Sequence, residues 1–140
     1  MYLHPRDDAL ADRVAAVTAR WGGTFEVVGV DDWKNVVRSF PGAVAHLTMY
    51  GLPLDRLLPR LARHRAILLV VGGAKVPSEL YRSSTYNVAV GHQPHSEVAA
   101  IAVALERLLG LPRPVRPGEA PQRIVPTARG KRVAGTRRVR

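Results

Sequence analysis

Residues 66–73 read AILLVVGG: six apolar residues run without a break into two glycines. The run is too short for a helix with one buried stripe, and it lacks the alternation that leaves one face of a strand to water. It is the pattern of a strand buried on both faces, and such strands belong to parallel sheets covered by helices. Upstream, LDRLLPRLARHR (54–65) predicts a helix with Leu54, Leu57, Leu58 and Leu61 as its stripe; Pro59 is tolerable there only near the first turn. AVAHLTMYG (43–51) predicts a strand that runs into a loop at Gly51. DDWKNVVRSFPG (31–42) predicts a helix capped by Asp31, with Trp33, Val36, Val37 and Phe40 on one side, closed by Pro41-Gly42. Before it lie a strand, TFEVVGV (24–30), and a helix that Asp7 or Asp8 caps and Gly22-Gly23 ends, with Leu10, Val14, Val17 and Trp21 at helical spacing.

Downstream, AKVPSELYRSST (74–85) predicts a loop with one helical turn and YNVAVG (86–91) another strand. Residues 95–109 form the last clear helix, with Val98, Ile101, Leu105 and Leu108 on one face, while Ala99, Ala100, Ala102 and Ala104 leave its other sides small enough for close approach to another element. RIVP (123–126) is a possible short strand. Strands alternating with helices imply an α/β fold, a mostly parallel sheet with helices on both faces. Ligands of such sheets bind beyond the carboxyl ends of the strands.

A chain of 140 residues with 46% apolar content can bury a core, which argues against wholesale disorder. There is no cysteine, hence neither a disulfide framework nor a zinc knuckle. The longest apolar runs fall well short of the roughly 18 residues of a membrane helix, and MYLHPRDD lacks the shape of a signal peptide. A soluble, cytoplasmic protein without a membrane partner is expected. The net charge of +10 is concentrated: residues 111–140 hold nine Arg or Lys against Glu119 alone, and residues 1–110 hold twelve basic against ten acidic groups. A basic tail suits a polyanion, since each neutralised phosphate releases a counterion. A merely solvated terminus is the bland alternative.

Three loops leave strand ends with unusual residues. GGAKVP (72–77) offers two glycines and Lys75 but not the spacing of a P-loop. HLTMYG (46–51) reads by itself most simply as a strand end packing into the core. GHQPHSE (91–97) is the richest: Pro94 suits a helix start, Ser96 a helix cap, and His95 and Ser96 stand where the helix dipole favours an anion or carboxylate. His92, His95 and Glu97 match no standard metal-ligand spacing, so no metal is expected; adjacency of His95 and Ser96 is no evidence of a nucleophile pair. Simple capping remains open for the same residues.

Taken together, HLTMYG, VVGGAKVP (70–77) and YNVAVGHQPHSEVAA (86–100), in this order, resemble the archaeal tRNA 2′-O-ribose methyltransferases that modify cytidine-56 of the T loop. The likeness extends from RVAAVTARWGGTF through DWKNVVRSFPG to RIVPTARGKRV. These enzymes are of the SPOUT type, whose C-terminal part forms a deep trefoil knot around S-adenosylmethionine. The resemblance implies a knotted methyltransferase domain over 1–110 and a Pro-rich, then basic, extension over 111–140. It implies cofactor contacts from Leu47, from Gly72, Gly73, Ala74, Lys75 and Val76, and from Val90, Gly91, His92, Gln93, Pro94, His95, Ser96 and Glu97. tRNA is the implied partner, a homodimer the implied assembly, and no DNA is expected. His95 is a chemically possible base for the ribose hydroxyl, because its ordinary pKa lies near neutrality; helix capping explains it equally. Arg129, Lys131, Arg132, Arg137, Arg138 and Arg140 are the expected RNA contacts.

The family normally begins with a strand and helix rich in glycine, histidine and arginine, including an arginine implicated in catalysis. MYLHPRDD instead resembles the edge of the family's second strand, so a late start or a shortened gene is expected, with lower stability and weak activity. The competing functions are a truncated RNA-binding relative without catalysis and, more distantly, another nucleotide-binding α/β domain.

Overall fold

The computed structural model describes residues 1–73, 75–113, 116 and 118–135. In chain order the elements are β1 (Tyr2–Leu3), α1 (Asp8–Trp21), β2 (Val28–Gly29), α2 (Trp33–Ser39), β3 (Ala43–Pro53), α3 (Leu54–Leu61), β4 (Ile67–Val70), α4 (Ser78–Ser83), β5 (Tyr86–Ala89), α5 (Glu97–Leu109), β6 (Gln122–Ile124) and β7 (Val133–Gly135). They form two compact units: the described residues of Met1–Asp32 with Arg113–Arg140, and those of Trp33–Pro112.

The second unit is a parallel sheet in the order β4-β3-β5. β3 pairs with β4 from Ala43↔Ile67 to His46↔Val70, and with β5 from Ala45↔Tyr86 to Leu47↔Val88. The ladder to β5 then resumes at Leu52↔Val88, so residues 48–51 bulge out and the strand returns. The expected loop at Gly51 is therefore a bulge inside a longer strand. Glycine makes the return possible: a Cβ at Gly51 would stand inside 3.0 Å of Asn87 C and O and of Val88 N.

Alternation along β3 builds two cores. On one face Ala45 and Leu47 pack with Leu54, Leu57 and Leu61 of α3, Val88, and Ala100 and Ala104 of α5. On the other, Val44 packs with Val37 of α2 and Leu80 of α4, with Trp33 and Phe40 around them. Glu79 of α4 accepts from Lys34 and Arg38 of α2, which together hold its carboxyl below the ordinary value. Helices thus cover both faces. The expectation that residues 67–70 are buried on both faces is corrected: all four are half-buried, because β4 borders the sheet among the described residues.

The alanine side of α5, expected to allow close approach, is the one that faces the core. Ala100 and Ala104 are buried, Ile101 and Leu108 flank them, and Val98 and Leu109 are 76% and 79% exposed, with Leu105 exposed beside them. Small alanines let the helix backbone approach the sheet closely, a contact that the bulkier stripe would hold off.

In the first unit β1 and β2 pair in parallel over Tyr2↔Val28 and Leu3↔Gly29. The strand expected over 24–30 is only two residues long here, since β1 is as short and Pro5 offers no N–H to extend the ladder. Asp7 caps α1 by accepting from Leu10 N at 2.9 Å, and Gly22 ends it with a φ of +81°. α2 begins at Trp33, so Asp32 rather than Asp31 directly precedes it. β6 and β7 form an antiparallel hairpin, with Ile124 opposite Val133. No helix among the described residues is long and apolar enough to cross a membrane.

Candidate functional site

The carboxyl ends of β3, β4 and β5 lie at one end of the sheet because all three strands are parallel. Leu47, the last residue of β3 before the bulge, is buried against Val88. The loop after β5 turns back over the bulge, and His92 Nε2 donates to Gly51 O at 3.2 Å. The first and third loops are thereby joined. Beside this junction a cleft of about 280 Å³ opens among Pro53, Asp55, Val90, His92, Val103 and Arg107. The start of α3, the end of β5 and one side of α5 form its walls, with Arg107 ion-paired to Asp55 across it. Of its lining, sequence reasoning named Val90 and His92 but missed Pro53, Asp55, Val103 and Arg107, which come from distant positions that only packing unites.

His92, Gln93, Pro94, His95, Ser96 and Glu97 are all exposed, whereas Val90 packs against the core. Ser96 caps α5, its Oγ accepting from Ala99 N at 3.4 Å. His95 Nδ1 donates to the Ser96 carbonyl at 3.3 Å. Each histidine thus commits one ring nitrogen to a backbone carbonyl, His92 through Nε2 to Gly51 and His95 through Nδ1 to Ser96. No His95–Ser96 side-chain bond forms, and no cluster of three or more His, Asp or Glu able to hold a metal occurs among the described residues.

The second loop leaves the same end of the sheet across β3 from the third. A Cβ at Gly73 would meet nothing within 4 Å among the described residues, whereas one at Gly72 would strike Val76 Cγ2. Lys75 is exposed, and Val76 packs on the core face of Val37, Val44 and Leu80. Ala74 lies outside the described residues. Gly73 leaves room for a ligand to approach the second loop, and the cleft beside His92 adds concave space at the third, so the residues present are compatible with a loop-bound nucleoside.

Behind the bulge sits a polar cluster that sequence reasoning also missed. His46 is fully buried at the centre of β3. Asn87 Nδ2 donates to Tyr81 O at 2.9 Å, so its Oδ1 faces His46 Nδ1, also at 2.9 Å, and accepts its proton. The Tyr81 ring meets the imidazole edge-on at 4.7 Å, and its hydroxyl shares a 3.3 Å hydrogen bond with Thr48 Oγ1. Burial pushes the His46 pKa down, the Asn87 bond only partly opposing it. A histidine inside an apolar strand run was the one available signal.

Of the expected RNA contacts, Arg129, Lys131 and Arg132 are exposed around the turn of the β6–β7 hairpin. Arg137, Arg138 and Arg140 lie outside the described residues.

Parallel strands with helices on both faces and loops leaving one end of the sheet define an α/β domain of the class whose ligands bind at that end. The family described as tRNA ribose 2′-O-methyltransferase, aTrm56, matches residues 21–134, and the chain belongs to it. It is 43% identical to the tRNA (cytidine(56)-2′-O)-methyltransferase of Archaeoglobus fulgidus, over 95% of this chain and 79% of that protein. The enzymes of the same description from Methanopyrus kandleri and Thermococcus kodakarensis are 45% and 46% identical, each over 91% of this chain and 74% of theirs.

Proposed function

We propose that this chain methylates the ribose 2′-hydroxyl of cytidine-56 in tRNA, using S-adenosylmethionine. The observation that carries the reading is the match over residues 21–134, which spans all three loops, to a methyltransferase family whose relatives bear that substrate in their names. S-adenosylmethionine, when bound, supplies an activated methyl group. Leu47, Gly72, Gly73, Ala74, Lys75, Val76 and the stretch from Val90 to Glu97 would hold it. The His92 clip fixes the third loop on the first, and the capped start of α5 fixes His95. His95 Nε2 is the candidate acceptor for the 2′-hydroxyl proton, because Nδ1 is already committed. Alignment of hydroxyl and methyl supplies the rest of the rate.

Two finer features belong to the same reading. The loops cross as in a SPOUT trefoil knot. The exposed stripe of Val98, Ala102, Leu105 and Leu109 on α5 covers itself against a second copy, making a homodimer.

The test is calorimetric titration of S-adenosylmethionine into the chain, followed by methyl transfer to an unmodified tRNA transcript. One-site binding, and transfer that vanishes on a transcript already 2′-O-methylated at cytidine-56, are expected. No binding by a chain that unfolds cooperatively would refute the reading.

A further inference from the structure

The hairpin of β6 and β7 is anchored to the end of α1 in three ways. Arg20 Nε donates to Gln122 Oε1 at 2.6 Å, Ala120 is buried, and Gly22 has no side chain where a Cβ would come within 2.8 Å of Ala120 Cβ. Between hairpin and helix end lies a groove of about 390 Å³. Its floor is apolar, with Trp21, Ile124, Val125 and Val133, and its rim carries Lys131 and Arg132, with no acidic residue in the lining. Ile124 is 68% exposed and faces Val133, itself exposed, across the ladder. A strand pair that leaves its apolar side chains to water while its rim is cationic is poorly suited to a monomer surface that only needs solubility. Arg20 stands over the Trp21 ring, 5.4 Å from its centroid, and fixes the indole while bonded to the hairpin.

We propose that this groove receives an unpaired base of the RNA substrate, stacked on Trp21 and packed on Ile124, with Lys131 and Arg132 on the flanking phosphates. A half-buried indole with Lys131 and Arg132 in the same lining suits a nucleobase with its backbone. Every base offers a π-face, and the charge has the right sign for phosphate. The inference rests on the RNA-substrate reading above.

Fluorescence of the Trp33→Phe variant, in which Trp21 is the sole tryptophan, tests it. Unmodified tRNA and an unstructured pyrimidine oligoribonucleotide should quench Trp21, whereas heparin, a polyanion without bases, should bind without quenching. Ile124→Asp should weaken tRNA binding about tenfold at fixed salt and leave S-adenosylmethionine affinity unchanged. Full tRNA binding without quenching overturns the groove and leaves the methyltransferase reading standing. Loss of all tRNA binding by the parent chain overturns both. A change of oligomeric mass in Ile124→Asp, with tRNA affinity intact, overturns the groove by assigning it to a second copy.

Discussion

Gly51→Ala puts a methyl group where β3 returns against β5. The new carbon would stand inside 3.0 Å of three backbone atoms of Asn87 and Val88, and none of these is a side-chain end that can swing away. Overpacking of this kind costs about 1–3 kcal/mol, and a backbone obstacle argues for the upper part of that range. For a chain of this size, about 3–4 °C of Tm per kcal/mol gives a fall of about 3–12 °C. The same displacement pulls Gly51 O away from His92, so S-adenosylmethionine affinity should fall with stability. Gly73→Ala is the matched comparison. Its Cβ meets nothing within 4 Å, so the Tm should be unchanged or slightly raised, while affinity falls because the methyl occupies space open to the ligand. Thermal unfolding by circular dichroism and calorimetric titration of both variants decide the matter. An unchanged Tm in Gly51→Ala would refute the tight return of β3; unchanged affinity in Gly73→Ala would remove that glycine from the site.

His46 gives a pH dependence of definite sign. Its folded pKa lies below the ordinary 6.5, so the stability it confers is complete above about 6.5 and is lost as pH falls through the depressed value, where the unfolded chain binds the extra proton. Urea midpoints should therefore drop more between pH 8 and pH 5 in the parent than in His46→Gln; equal drops would count against a neutral buried imidazole. Replacing Arg129, Lys131 and Arg132 together by alanine should lower the slope of log affinity for tRNA against log salt by about 2–3, with the S-adenosylmethionine titration unaltered. An unaltered slope would mean that these side chains do not meet phosphate. Leu105→Glu with Leu109→Glu should halve the solution mass measured by light scattering if α5 forms the dimer, and a mass that stays put would place the interface elsewhere.

Much of the architecture was legible without coordinates. The order of strands and helices from α1 to β6, the caps at Asp7 and Ser96, and the glycine stop at Gly22 are local matters. They depend on a side chain reaching a backbone N–H a few residues away or on a φ that glycine alone adopts easily. The three loops stood out in the sequence only when taken together, through their resemblance to one family, since each alone also reads as a strand end, a turn or a helix cap. Packing decided the rest. α5 buries Ala100 and Ala104 with Ile101 and Leu108 beside them and leaves Val98 and Leu105 exposed, a choice of face that only its packing against the sheet decides. Whether residues 67–70 lie within the sheet or border it depends on which strands find them as partners. The bulge over 48–51, the His92 clip across 41 residues of chain and the His46–Asn87 pair are contacts between segments distant in sequence. No periodicity encodes such meetings, and only the closed fold brings those atoms within hydrogen-bond reach.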